Sequence, residues 1–359
     1  MKILVATGSS GGHIFPALSF IDTLKIKNKD IDILLVLPQK SISRNLDQKG
    51  YKIKYLPISP VRFSLKLENL KAIPRNILAV IDSVRILANF KPDIVVGFGS
   101  ISSLPLVFFA WFFRINTLIH EQNVLPGKAT RFLAKFSDKI AVSFEETKEY
   151  FRDKNNVVLT GNPLRVNLVR IDKKSALDFF GFQEGKFTIL VIGGSQGSHK
   201  INQRFFEFVS SLSDKGAIQI IHLSGSSDYD TLKKSYSGVP IEVKLFDFLD
   251  QVEYAYSAAD LVISRAGAMA ITEAMHYKVP AILIPYPYAQ KHQFLNAKVL
   301  EKKNCAVIID DNNLNLQALK QVVEPLIYNP GGLENMRRSF DEFFLNNANE
   351  RLVNEIANF

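Results

Sequence analysis

The chain has 359 residues, 47% of them hydrophobic and 22% charged, with 44 Lys and Arg against 35 Asp and Glu for a net charge of +9. That composition excludes a disordered chain, a collagen-like repeat and a coiled coil, and the length is a prior for two domains. A single cysteine, Cys305, excludes internal disulfides and multi-cysteine metal sites and fits a reducing compartment.

In chain order, Ile3–Ala6 predicts a strand. The run is too short for the apolar region of a secretory signal. The glycine-rich turn Gly8-Ser9-Ser10-Gly11-Gly12-His13 follows, then a helix from about Ile14 to Lys25. Ile31–Leu37, Ile53–Leu56, Ile94–Phe98, Thr117–His120 and Lys139–Val142 predict further strands. Between them, Leu70, Ile73, Ile77, Val80, Ile81, Val84 and Leu87 recur at helical spacing, which predicts an amphipathic helix packing its stripe into the core. The longest apolar window, Leu104 to Phe113, falls short of the roughly 20 apolar residues that span a bilayer.

The positive charge is concentrated early. Residues 49–91 hold nine basic side chains (Lys49, Lys52, Lys54, Arg62, Lys66, Lys71, Arg75, Arg85 and Lys91) and two acidic ones, Glu68 and Asp82. Such asymmetry points to an anionic partner for the first half. The aromatic run Val107, Phe108, Phe109, Trp111, Phe112, Phe113 lies close by, closed by Arg114. Basic residues interleaved with apolar ones fit an anionic membrane surface better than a phosphate alone. They show no nucleic-acid-binding module, so a nucleic-acid partner is not expected.

A second series begins at Thr188–Ile192 and continues through Ile218–Leu223, Ile241–Leu245, Leu261–Ser264, Ala281–Ile284 and Ala306–Ile308. Strands alternating with helices predict doubly wound parallel sheets, and two series predict two Rossmann-like domains joined near Gly161-Asn162-Pro163.

Five elements carry chemistry. The turn at Gly8–His13 and a second at Gly193-Gly194-Ser195-Gln196-Gly197 each lie between a strand and a helix, where backbone N–H groups suit a phosphate or diphosphate. Neither is a dinucleotide fingerprint, which argues against a dehydrogenase. In Ser264–Glu273, the Gly267-Ala268 pair opens a helix and Glu273 offers a carboxylate to adjacent ribose hydroxyls. The segment Pro285-Tyr286-Pro287-Tyr288-Ala289-Gln290-Lys291-His292-Gln293 follows a strand and carries amides suited to sugar hydroxyls. The fifth, His120-Glu121-Gln122-Asn123, is four polar residues in a row after an apolar stretch, a pattern not expected in a core.

Together these motifs resemble one family over nearly the whole chain, the MurG family of GT-B glycosyltransferases. The matching residues are Gly8, Ser10 to Leu18, His120 to Asn123, Thr160-Gly161-Asn162-Pro163-Leu164-Arg165, Gly193 to Gly197, Arg265, Gly267-Ala268, Glu273, Gln293 and Asn296-Ala297. The resemblance implies an α/β protein of GT-B architecture, with two Rossmann-like parallel-sheet domains facing a cleft. Residues 1–163 would face acceptor and membrane, residues 164–339 would bind UDP-GlcNAc, and a terminal helix at about 340–359 would pack back on the first domain. The implied reaction is inverting transfer of GlcNAc from UDP-GlcNAc to the 4-hydroxyl of MurNAc-pentapeptide on undecaprenyl diphosphate (lipid I to lipid II). It takes place at the cytoplasmic face of the cell membrane during peptidoglycan synthesis.

By the same resemblance Glu273 holds the ribose, the Leu249 backbone contacts uracil, and Ala268, Met269, Ala270, Ile271, Thr272 and Glu273 lie along the nucleotide. Gln293 and Asn123 would contact the sugar, Ser10, Gly11 and Gly12 would line the donor–acceptor junction, and Ser195 and Arg165 would meet the diphosphate. Backbone N–H groups, helix N-termini and Arg165 can stabilise the departing UDP without a metal, so neither metal nor other cofactor is expected. Inversion needs a general base. His13 is the first candidate, because an ordinary imidazole titrates at about 6.5; Glu121 is the second. The chain departs from the family pattern at Ser9, Ala266, Ser198 and His292. A UDP-GlcNAc 2-epimerase or another UDP-sugar transferase would share the donor half, and a non-catalytic nucleotide-binding protein at a membrane surface would share the basic face.

Overall fold

The computed structural model describes residues 1–39, 50–59, 67–194, 197–289, 291–342 and 347–359. Expectations resting on Lys49, Arg62, Lys66, Ser195, Gln196 and Gln290, and on the side chains of Glu68, Leu70 and Lys71, lie outside what it describes. The chain divides into two compact units, Met1–Val166 with Asn347–Phe359, and Asn167–Asn346.

The first unit runs β1 (Lys2–Thr7), α1 (Gly11–Lys27), β2 (Asp32–Pro38), β3 (Lys52–Leu56), α2 (Leu67–Phe90), β4 (Ile94–Phe98), α3 (Ser100–Phe112), β5 (Asn116–Glu121), α4 (Lys128–Leu133), β6 (Lys139–Val142) and β7 (Val157–Leu159). Its strands form one sheet in the order β3-β2-β1-β4-β5-β6-β7, parallel at every pairing. Central strands are apolar at successive positions because helices cover both faces. Ile3 and Val5 pack with Phe20, Ile21 and Leu24 of α1, whereas Leu4 and Ala6 pack with Leu106, Val107 and Ala110 of α3. Each large aliphatic or aromatic side chain so buried contributes about 1.5–3 kcal/mol.

The second unit runs α5 (Lys173–Phe180), β8 (Phe187–Ile192), α6 (His199–Ser210), β9 (Ile218–Leu223), α7 (Tyr229–Tyr236), β10 (Glu242–Phe246), α8 (Val252–Ala258), β11 (Leu261–Ser264), α9 (Ala268–Tyr277), β12 (Ala281–Leu283), α10 (His292–Lys302), β13 (Ala306–Ile308), α11 (Leu316–Tyr328) and α12 (Pro330–Ser339). Its parallel sheet has the order β10-β9-β8-β11-β12-β13. In both sheets strand order reverses once, at β1/β4 and at β8/β11. Open α/β sheets bind ligands beyond the carboxyl ends of the strands at such a reversal.

The last helix, α13 (Ala348–Ala357), belongs to the first unit. Leu352, Val353 and Ile356 join the core around α1. The Asn349 carboxamide accepts from Leu164 N at 2.9 Å and donates to Leu164 O at 2.8 Å, which ties the end of the first unit's main segment to this helix.

Candidate functional site

In the first unit the glycine-rich turn enters α1 earlier than the apolar pattern indicated, at Gly11. Ser10 is the N-cap in extended geometry, and its side chain turns to His13 instead of capping the helix: Ser10 Oγ lies 2.8 Å from His13 Nδ1. Ser9 is not in the left-handed region, so serine there is unstrained.

The His13 ring rests on two glycines from different loops. A Cβ on Gly8 would sit 3.2 Å from His13 Cγ and 2.7 Å from Ser100 Cβ. A Cβ on Gly99, which follows β4, would sit 3.2 Å from His13 Cδ2 and 3.4 Å from Nε2. Gly99 also has φ +74, a positive-φ backbone that glycine adopts at no steric cost. The imidazole is therefore seated at the reversal between β1 and β4. Gly99 was not singled out from the sequence; the signal was a glycine closing a second strand beside the first.

The polar run that closes β5, from His120 to Asn123, is largely interior, contrary to expectation. His120 is fully buried, and Glu121 and Gln122 are 3% and 2% exposed. They tolerate burial because each is hydrogen-bonded. His120 Nε2 lies 3.0 Å from Gly161 O, a group that can only accept, so Nε2 carries the proton and Nδ1 accepts from Gln122 Nε2 at 3.1 Å. Burial pushes this imidazole down to about 4, against smaller opposing effects from Gly161 and Glu121, so it is neutral.

Glu121 closes the following loop: Oε1 accepts from Asn123 N at 3.0 Å and Asn123 Nδ2 at 3.2 Å, and Oε2 accepts from Gly127 N at 3.1 Å. A buried carboxylate holding three N–H groups orients Asn123 and braces the loop. This loop adjoins the imidazole through Thr130, whose Oγ1 lies 3.7 Å from where a Cβ on Gly99 would stand and 4.0 Å from where one on Gly127 would stand.

Arg165 falls in the first unit, not the second. Its guanidinium lies 5.6 Å from the centre of the Phe15 ring, on the first turns of α1. Ser10, Gly11, Gly12, His13 and Arg165 are thus brought to one end of one helix.

In the second unit the turn after β8 is a backbone-tight loop. Gly197 has φ +79, and a Cβ there would lie 2.1 Å from Ser224 O. Ser198 ties this turn to the next strand, accepting from Arg265 at 2.9 Å. Arg265 also donates to Ile284 O and pairs with Asp311, which Lys200 contacts too. Burial alone would raise the Asp311 carboxyl, but hydrogen bonds and charge from Arg265 and Lys200 hold it below the usual carboxylate range. Arg265 is therefore a clamp across the β8/β11 reversal, and the serine at 198 supplies one of its anchors.

The segment 268–273 forms the first turns of α9, and helical periodicity splits its side chains. Ala268, Ile271 and Thr272 are buried, whereas Met269, Ala270 and Glu273 are partly exposed. Thr272 Oγ1 donates to Ala268 O. Glu273 accepts from the Tyr256 hydroxyl at 3.1 Å. The Leu249 side chain is buried just before α8, the helix that carries Tyr256. Gln293 Oε1 accepts from Tyr286 N at 2.9 Å, which braces the loop after β12 and commits that oxygen.

The amphipathic helix of the first unit also differs from expectation. Among the described residues of α2, Ala79, Ser83 and Leu87 are buried and Ile86 and Phe90 pack against the core, whereas Ile73, Ile77, Leu78, Val80 and Ile81 are exposed. Trp111, Phe112, Phe113 and Phe132 are exposed as well, with Phe112 at 62%. Phe136 joins α3 to α4 through ring contacts of 4.8 Å to Trp111 and 5.2 Å to Phe132. Arg75, Arg85, Arg114, Lys128, Arg131 and Lys135 are exposed among or beside these side chains. Among the described residues no helix is long and apolar enough to cross a membrane, and no cluster of His, Cys, Asp or Glu could hold a metal ion.

Residues 3–142 match the glycosyltransferase family 28 N-terminal domain and residues 188–352 the family 28 C-terminal domain. The fold resembles the crystal structure of Acinetobacter baumannii MurG, with a TM-score of 0.81 at 25% identity over 100% of this chain and 99% of that one. A Neisseria meningitidis UDP-GlcNAc 2-epimerase is similar at a TM-score of 0.70 and 17% identity, which shows a shared fold alone. The chain is a hexosyltransferase of the GT-B class. A Bacillus licheniformis relative named UDP-N-acetylglucosamine–N-acetylmuramyl-(pentapeptide) pyrophosphoryl-undecaprenol N-acetylglucosamine transferase is 35% identical, over 99% of this chain and 97% of the relative. One of the same name from Desulforamulus reducens is 34% identical, over 94% and 93%. The chain belongs to this family of N-acetylglucosamine transferases, the MurG family.

Proposed function

We propose that this protein transfers GlcNAc from UDP-GlcNAc to the 4-hydroxyl of MurNAc-pentapeptide-diphospho-undecaprenol, with inversion, while attached peripherally to the anionic cytoplasmic face of the cell membrane. The observation that carries the chemistry is the imidazole of His13, seated on Gly8 and Gly99 with Ser10 at Nδ1. For Nε2 to take the acceptor's proton, Nδ1 must carry hydrogen and donate to Ser10 Oγ, so Ser10 selects the working tautomer. Glu121 and the loop it closes hold Asn123 for the sugar. In the second unit Glu273 receives the ribose and the turn at 193–197 the diphosphate, where N–H groups at the start of α6 stabilise charge on departing UDP.

The exposed apolar side chains of α2 and α3, with their basic neighbours, fit a lipid-linked acceptor. Each Lys or Arg near an anionic surface contributes about 1 kcal/mol, and the aromatic side chains enter the headgroup boundary. The test is UDP release from UDP-GlcNAc with and without a lipid I analogue. Release that depends on the acceptor supports the reading, and release that ignores it overturns it.

A further inference from the structure

Tyr256 is 1% exposed, and its hydroxyl donates to Glu273 Oε2 at 3.1 Å. Two helices meet at this bond, because Tyr256 stands on α8 and Glu273 on α9. The phenol is itself held in place: its ring stacks on Tyr277 with centroids 5.2 Å apart and planes 9° from parallel. The Tyr277 hydroxyl donates in turn to Val169 O at 3.2 Å. A glutamate near a helix surface otherwise has three rotatable side-chain bonds and loses about 1.5–2 kcal/mol of freedom when it is fixed. A carboxylate with one oxygen already occupied by a buried phenol has lost much of that freedom before any ligand arrives.

We propose that Tyr256 is a positioning residue for donor binding. Its hydroxyl fixes the Glu273 carboxylate so that the remaining acceptor positions meet the two ribose hydroxyls of a uridine diphospho-sugar. The bond is made in the empty and the occupied site alike, so it lowers the cost of donor binding and leaves the chemical step unaltered. This rests on the reading of Glu273 as the ribose-binding carboxylate.

The variant is Tyr256→Phe, which keeps the buried ring and its stacking and removes only the hydroxyl. Steady-state kinetics are measured with UDP-GlcNAc and with its 2′,3′-dideoxyribose analogue. With UDP-GlcNAc the KM rises about five- to tenfold, because the donor itself must then order the Glu273 carboxylate, with kcat nearly unchanged. With the dideoxy donor the effect of the substitution falls below about twofold, because the carboxylate then has no ribose hydroxyl to meet. An equal KM penalty with both donors, a fall in kcat at constant KM, or no change with UDP-GlcNAc overturns the proposal. Glu273→Gln separates the two levels: if it raises the donor KM while Tyr256→Phe does not, only the positioning role fails. If Glu273→Gln leaves the donor KM unchanged, the ribose reading fails and the positioning role with it.

Discussion

Ser10 Oγ and His13 Nδ1 stand 2.8 Å apart, one turn apart on the same helix entrance. The pairing gives the imidazole a defined tautomer only if the serine hydroxyl accepts, which leaves Nε2 as the base. His13→Ala is expected to lower kcat by about 10²–10⁴-fold at saturating donor and acceptor. Ser10→Ala lowers it less, because the tautomer is no longer selected but the base remains. Steady-state kinetics with a lipid I analogue check this. An effect of His13→Ala confined to KM would reduce the residue to a phosphate contact.

Gly99 supplies an independent check of the same seat. Alanine there meets an extended backbone of positive φ that is almost confined to glycine, which costs about 1–3 kcal/mol, and its methyl presses on His13 Cδ2 at 3.2 Å. Gly99→Ala is expected to lower the stability of the first unit by that amount and to reduce kcat, with the donor KM nearly constant. Urea unfolding and turnover read the two effects separately.

Glu121→Gln tests whether that residue orients or catalyses. The amide keeps one acceptor oxygen but sets an NH2 group against a loop N–H, so one buried hydrogen bond is lost at about 1–3 kcal/mol. The expected outcome is a lower melting temperature and a raised KM, through displacement of Asn123. The acidic limb of the kcat profile is expected to keep its midpoint. A shift of that limb would make Glu121 the base.

The fold class was legible because two series of short apolar strands, each preceding a helix, leave little alternative to parallel sheets covered on both faces. The glycine turns were legible for the same local reason, since each directly follows a strand. Burial of His120, Glu121 and Gln122 was not, because their partners, Gly161, Asn123 and Gly127, come from turns whose geometry exists only after folding. The outward turn of α2 was hidden by a related ambiguity. Helical spacing reports that one face is apolar but not whether it meets protein, and small Ala79 and Ser83 took the core side. Arg265 matched the family pattern, but its role as a clamp was not legible, because its partner Asp311 lies forty-six positions downstream.

His120 sets an acid limit on the first unit. Its folded-state value lies at about 4, so as pH falls below the ordinary value of about 6.5 the unfolded chain takes up a proton that the folded one refuses. Stability from this residue is complete above about 6.5, falls between about 6.5 and 4, and levels off below. Trp111, the only tryptophan, stands in the first unit and reports on it. Urea midpoints from its fluorescence are expected to fall from pH 7 to pH 4.5, and less steeply in His120→Gln, although that variant is less stable at pH 7. Equal slopes would place the acid sensitivity elsewhere.

The exposed face of α2 and α3 makes a prediction separable from catalysis. Ile77→Ser with Phe112→Ser removes two side chains that are 56% and 62% exposed, so neither supports the core. The protein is expected to cosediment with vesicles containing anionic lipid and less with zwitterionic ones, the more so at low salt, since screening acts over about 10 Å at 0.1 M. The double variant is expected to lose most of this binding yet retain turnover on a short-chain, water-soluble acceptor. Arg131→Glu is expected to weaken binding to anionic vesicles while leaving the weaker zwitterionic binding unchanged. If the double variant bound as the parent protein does, the lipid contact would have to lie on another face.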